Sequence, residues 1–224
     1  MLKIAALVAA IGFFALVSIQ AMAAEKNATI GNARIVVRTV TGTLESDLRQ
    51  IKLLDDIYHN EAIETGDDSA TEFVFFDETR LALGPNSRMV LDRFVYDPDP
   101  SKAAFIMTAT AGVFRFVSGK IPKSAYEIRT PNATIGIRGT VFSFIVIPGD
   151  TEGKPTKTNV TIEEGEAEIT NCLGERVSLV RSGASTTVST NSDGICATAT
   201  PSGAQAAEFA RMLAASGLES QYQF

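Results

Sequence analysis

The sequence predicts an all-β domain, a β-sandwich or a short β-solenoid of many short strands, completed by one C-terminal α-helix. Three observations carry that prediction. Apolar and β-branched runs recur at intervals of roughly 8–12 residues. Turn residues separate them, and the middle of the chain lacks helical periodicity. A composition of 45% hydrophobic and 21% charged residues, with 13 Phe, is that of a chain with a packed interior rather than a disordered one.

Residues 1–23 read as a signal peptide. Lys3 supplies the positive start, residues 4–19 form an uncharged apolar run, and Ala21-Met22-Ala23 gives the small-x-small pattern ahead of a cut. An uncleaved anchor is the alternative, since residues 4–24 are nearly long enough to span a bilayer. The polar Glu25-Lys26-Asn27 that follows favours cleavage. No Cys lies near the cut to carry a lipid, and nothing apolar enough to span a membrane follows.

β-Type runs are expected from Asn32 onward. Residues 43–58, richer in Leu, Asp and Lys, are read as a helical turn or an irregular loop. Residues 71–76 and 80–83 are strands around Asp77-Glu78, and Gly84-Pro85-Asn86-Ser87 turns the chain into a strand over 88–96. In that strand Met89, Leu91 and Val95 alternate imperfectly with their neighbours, as in a strand buried partly on both faces. Asp97-Pro98-Asp99-Pro100 is a stiff connector. Further strands are expected over 103–110, 113–117, 125–130 and 141–147, then an exposed loop over 148–155. Residues 160–164 and 166–170 read as a hairpin about Gly165, and 176–181 and 184–189 complete the series.

Residues 202–216 are Ala-rich, with Ala206, Phe209, Ala210 and Leu213 at helical spacing, Ser202 to cap the start and Gly217 to end the helix. The helix is expected to pack on its own domain. The tail 218–224 alternates apolar and polar residues and ends in Phe224, like the last strand of an outer-membrane barrel. The preceding strands lack the apolar band that a barrel needs.

Cys172 and Cys196 are the chain's two cysteines, both beyond the leader. In an oxidising compartment such a pair forms a disulfide, here closing a loop of about 25 residues worth ~3.5 kcal/mol by chain entropy. Two free thiols are the alternative. A metal site would need more ligands than these two supply, and none is expected.

Removing Lys3 with the leader leaves 19 basic and 26 acidic residues, a charge of −7. That balance repels phosphate backbones and anionic lipid, so nucleic acid is not expected as a partner. No catalytic constellation stands out. The lone His59 lies in a polar loop context without a second zinc ligand or a Gly-x-Ser-x-Gly elbow. There is no phosphate-binding or dinucleotide-binding glycine motif, and no cofactor is expected. Glu163, Glu164, Glu166 and Glu168 around Gly165, and Asp92, Asp97 and Asp99 by the Pro-rich connector, are acidic enough for glycoside cleavage or Ca²⁺. The period of two in Glu164, Glu166 and Glu168 reads instead as a solvated hairpin face. Asn27, Asn132 and Asn159 head Asn-x-Thr triplets, which matter only in a glycosylating secretory pathway.

Two stretches together resemble the FecR-type domain of bacterial envelope proteins. The first holds Thr65-Gly66-Asp67-Asp68-Ser69, a strand, the turn Asp77-Glu78-Thr79, and Gly84-Pro85-Asn86-Ser87. Glu78 stands where the family usually has Gly. The second is Thr130-Pro131 followed by Gly136-Ile137-Arg138-Gly139-Thr140, and the likeness runs on through Gly165. From the residues themselves, Gly136 and Gly139 are expected at a bend between strands, with Arg138 reaching carboxylates or carbonyls of a neighbouring strand. Family members in iron-uptake signalling place this domain in the periplasm behind a cytoplasmic anti-sigma segment and one membrane helix. Here a leader directly precedes the β domain, so the resemblance implies the sensing or binding half without the anti-sigma segment.

The expected organisation is a leader over 1–23, a FecR-type β domain over 31–198, and a helix and tail over 202–224. The expected function is a non-catalytic binding or sensing module in the periplasm or at the cell surface, contacting an envelope protein or polysaccharide. A self-associating surface or matrix component is the first alternative, and an enzyme acting on envelope polysaccharide the second.

Overall fold

A computed structural model describes residues 28–216 except 98, 100, 151–153, 192 and 202. The leader, the cap at Ser202, Gly217 and the tail lie outside the described residues, as does Asn27. Seventeen strands form two sheets that face each other across one core. The first sheet runs, in spatial order, through β4 (Asp56–Tyr58), β1 (Thr29–Val37), β6 (Ala70–Phe75) and β7 (Arg80–Leu83). It continues through β9 (Ala104–Val117), β12 (Val141–Ile147), β13 (Thr156–Glu164), β16 (Ser185–Thr190) and β17 (Cys196–Ala199). The second runs through β3 (Asp47–Gln50), β2 (Val40–Leu44), β5 (Ala62–Thr65) and β8 (Arg88–Val95) to β9. From β9 it passes to β10 (Tyr126–Arg129), β11 (Ala133–Ile137), β14 (Ala167–Asn171) and β15 (Arg176–Leu179). Beyond the first hairpins, both sheets grow in chain order, so the sandwich is wound from one end to the other.

Strand β9 belongs to both sheets. Its residues 104–111 pair with β8, and 112–117 pair with β7 and β12. The two runs read separately from sequence are thus one strand, folded over at Gly112. There φ is +110°, and a Cβ would lie 2.3 Å from Ser87 Cα, so only glycine permits this bend. Having folded over, β9 ends at the rim where it began. The next strand, β10, therefore starts beside Phe105 and runs parallel to β9, while all other pairs are antiparallel.

Alternate residues point inward. Phe73, Phe105, Phe114, Phe116, Phe142 and Phe144 are fully buried between the sheets. Each contributes roughly 1.5–3 kcal/mol on burial. Phe114 and Phe144 stack at 4.6 Å, and Phe105 meets Phe116 edge-on at 5.5 Å across the fold of β9.

Three readings change. Residues 43–58 hold the end of β2, then β3 and β4, rather than a helical turn, with Ile51 and Ile57 buried in the core. The imperfect alternation in β8 comes from a bulge between Leu91 and Arg93. Met89 and Leu91 face the core before it and Phe94 after it. The segments around Gly165 are not a hairpin, since β13 lies in the first sheet and β14 in the second. Helix α1 (Gly203–Ala215) packs Phe209 and Met212 on the outer face of the first sheet, against Ala82, Val113 and Ile145. No helix among the described residues is long and apolar enough to cross a membrane.

Candidate functional site

Two turns of the first motif, Thr65–Ser69 and Gly84–Ser87, gather at the rim where β9 folds over, and its Asp77–Thr79 turn lies at the opposite rim. Ser87 fits against Gly112, its Oγ donating to Gly84 O at 2.9 Å and accepting the Val113 N–H at 3.1 Å. Thr65 Oγ1 donates to Gly84 O at 2.6 Å and accepts the Ser87 N–H at 2.9 Å. Ser69 Oγ accepts the Thr39 N–H at 3.0 Å, and Asn86 N–H bonds Gly66 O at 3.2 Å. Short hydroxyl side chains thereby replace the strand pairing that the corner interrupts. Gly66, Asp68, Ser69, Gly84, Pro85 and Ser87 belong to one construction, locking two turns to the bend of β9.

The second motif is divided between the rims. Thr130 and Pro131 turn β10 into β11 on the rim of Gly112, where Thr130 Oγ1 accepts the Ala133 N–H at 3.0 Å. Asn132 is buried there, its Nδ2 bonding Thr156 O at 3.0 Å and Val188 O at 3.1 Å. Asn159 is buried as well, so neither triplet offers its amide to a glycan. Gly139, Thr140 and Gly165 sit at the opposite rim, where the chain crosses between sheets twice. At Gly165, with φ +82°, a Cβ would lie 1.8 Å from Gly139 O, so the two crossings touch backbone to backbone. Thr140 N–H bonds Ser118 Oγ at 3.2 Å, and its hydroxyl donates to Glu166 O.

Gly136 does not lie at a bend. It is inside β11, in register with Glu127 and Glu168, without a positive φ. Arg138, two-thirds exposed, reaches Glu168 Oε2 on β14 at 3.8 Å. The acids around Gly165 likewise separate. Glu164 and Glu166 are solvated. Glu168 faces out from the second sheet beside Arg138 and Arg176. Glu163 lies on the first sheet's outer face, held by Arg115 at 2.9 Å and Ser143 Oγ at 2.7 Å. On that same face Glu72 is buried, and burial raises its carboxyl above the ordinary value against the pull of Arg80 and Arg115.

Asp92 accepts the Thr108 hydroxyl at 2.7 Å, and Asp99 caps its own turn through Ser101. Hydrogen bonds from Ser101 hold the Asp99 carboxyl below its ordinary value. His59 lies in the turn after β4, with its N–H on Ala28 O. Cys172 and Cys196 form a disulfide joining the end of β14 to the start of β17, and so one sheet to the other.

Beside the first motif opens a cavity of about 700 Å³. Val113, Ile147 and Met212 give it an apolar floor between β9, β12 and α1, and Pro85 and Asn86 form one wall. Glu64, Asp67, Asp68 and Arg88 stand on its rim. Arg88 Nε lies 3.5 Å from Glu64, Arg38 Nη1 is 2.7 Å from Asp68, and Asp67 has no ion-pair partner among the described residues. No aromatic side chain among the described residues lines it. The sequence marks the corner but not this cavity, whose floor is assembled from β9, β12 and a helix distant in the chain. Phe209, singled out by its helical spacing, anchors α1 on the sheet beside Val113 but does not itself line the cavity.

Residues 61–168 match the family model described as FecR protein. Two crystal structures of a “putative anti-sigma factor” from Parabacteroides distasonis ATCC 8503 are similar to the chain, each with a TM-score of 0.44. One is 15% identical, over 62% of this chain and 59% of that one; the other is 14% identical, over 66% and 64%. The chain thus spans less than two thirds of the length of either. No curated protein matches it. The family match takes in the whole of both motifs and the Gly165 corner.

Proposed function

We propose that the protein is an exported, non-catalytic binding module of the bacterial envelope, which senses or relays by contacting a protein partner through the cavity beside the first motif. The cavity carries this reading. The serine and threonine hydroxyls of the motif fix its wall to the fold of β9, and its floor is apolar while its rim is charged, the usual make-up of a recognition site. The FecR family match supports a role in signalling, and the Cys172–Cys196 disulfide fits an oxidising compartment, periplasmic or outside the cell. The leader over 1–23, the β domain over 31–198 and the helix and tail over 202–224 belong to the same proposal. A protein is favoured over a polysaccharide because the described residues give the cavity no aromatic platform on which a sugar ring could stack.

The test is capture from the producing organism's envelope extract, comparing the native chain with an Ile147→Arg variant that charges the cavity floor. A defined protein retained by the native chain and lost by the variant supports the reading. Glycan alone, or a protein held equally by both, overturns it.

A further inference from the structure

We propose that copies of this chain add end to end, the last layer of one sandwich pairing with the first layer of the next. The winding of the fold leaves two open ends. Among the described residues, β4 and β3 at the first end each have one neighbour, and β17 and β15 at the last each have one. Each end thus offers one unpaired edge from each sheet, and the four edge strands are three or four residues long. An end of one copy can therefore continue both sheets of another at once, which isolated edges cannot do.

Exposed apolar side chains collect at these same ends. Leu48 on β3 is 71% exposed, and Leu53 and Leu54 in the turn between β3 and β4 are 60% and 63% exposed. At the last end Leu173, Val180 and Ile195 are 61%, 55% and 58% exposed, in the turns that flank β15 and β17. Among the described residues, only Phe76 and Tyr96 of the large exposed hydrophobics lie elsewhere. Exposed Asp47 on β3 and exposed Arg176 on β15 give the second sheet's two edges groups of opposite charge, although Arg176 also pairs with Glu168 of its own chain at 3.4 Å and β3 carries Arg49 as well. Because the two ends differ, the contact is heterologous, and such a contact gives open-ended growth unless the rotation between copies closes a ring. The second copy is the occupant because each end supplies what the other lacks. This contact is independent of the cavity.

The test is light scattering of the full chain, produced with its own leader, over an about hundredfold concentration range. Two surface variants block one end each: Leu48→Lys with Leu54→Lys, and Val180→Lys with Ile195→Lys. The native chain is expected to grow in mass without a limiting size. Either variant alone stays monomeric with an unchanged melting temperature, and an equal mixture of the two stops at a heterodimer. A native chain that stays monomeric overturns the proposal. So does association that survives in either variant alone, since that requires a contact other than first end to last end.

Discussion

The Tyr126 hydroxyl donates a 2.7 Å hydrogen bond to Asp77 Oδ2, with both side chains buried at the rim opposite the fold of β9. Asp77 also accepts the Thr79 N–H at 3.0 Å and the Thr79 hydroxyl at 2.6 Å, and Tyr126 Oη accepts the Gly119 N–H at 2.8 Å. Three segments far apart in the chain meet in this network: the β6–β7 turn, the strand-to-strand connection after β9, and the start of β10. A buried carboxylate is tolerated because its oxygens are occupied by donors.

Tyr126→Phe is expected to cost roughly 1–3 kcal/mol at neutral pH, since it removes a donor from a buried acceptor. Burial, reinforced by Asp77, holds the phenol well above its ordinary value near 10. The unfolded chain therefore loses its proton near that pH while the folded chain keeps it. The stability this group contributes is complete below pH ~10 and falls as pH rises further. The Phe variant has no such proton, so its deficit should shrink above pH ~10. Urea unfolding at neutral and alkaline pH measures both effects, and a gap that stays constant with pH would refute the assignment.

Arg49 and Glu61 form an ion pair that is asymmetric in its burial. Glu61 is fully buried and takes Arg49 Nε at 2.8 Å and Nη2 at 3.0 Å, whereas the Arg49 side chain is 31% exposed. Glu61 also accepts the Tyr58 N–H at 3.1 Å, and its bond to Arg49 raises the guanidinium above its ordinary value. Arg49→Met strands a carboxylate inside the fold and should cost about 3–5 kcal/mol. Glu61→Gln leaves an arginine that can turn to water, and should cost less. Equal losses in chemical denaturation would show that the carboxylate, too, reaches solvent.

Glu78 occupies the left-handed region with φ +68°, at the position where the resemblance expects glycine. The conformation costs a side chain about 1–2 kcal/mol. The ion pair to Lys120 on this exposed surface returns little. Glu78→Gly should therefore raise stability, by up to about 1 kcal/mol once the extra freedom of the unfolded glycine is deducted. Thermal unfolding checks it, with Glu78→Ala as the control that keeps the strain and loses the ion pair.

What was legible in the sequence was local. Residues 80–83 and 141–147 were read as strands with the bounds they have, because Leu81, Leu83, Phe142 and Phe144 declare their inner face by spacing alone. The Gly84–Ser87 turn was legible as a turn, though not as the wall of a cavity. What escaped was everything that depends on which sheet a strand joins. Gly165 follows one strand and precedes another just as a hairpin turn would, yet it carries the chain between sheets. Gly136 and Gly139 share a motif, but one is paired inside β11 and the other sits at a crossing with φ +83°. Glu61 shows the same limit, since a charged residue beside Ala62 and Ile63 gives no sign that Arg49 waits for it inside.

The Cys172–Cys196 disulfide closes the last layer, where β15 and β17 each have a single partner strand. It spans the two sheets, so its loss frees the end of β14 from the start of β17 as well as lengthening the unfolded chain's loops. Replacing both cysteines with serine should cost up to ~3.5 kcal/mol of global stability. The loss should not be uniform, because a wound sandwich can fray from its end while its middle stays paired. Amide exchange in β14 to β17 should accelerate far more than exchange in β6 to β9, which are held on both sides and packed on the Phe core. Uniform acceleration would mean that the last layer opens only with the whole domain. It would also make the disulfide a constraint on the unfolded chain alone rather than a clasp on the open end.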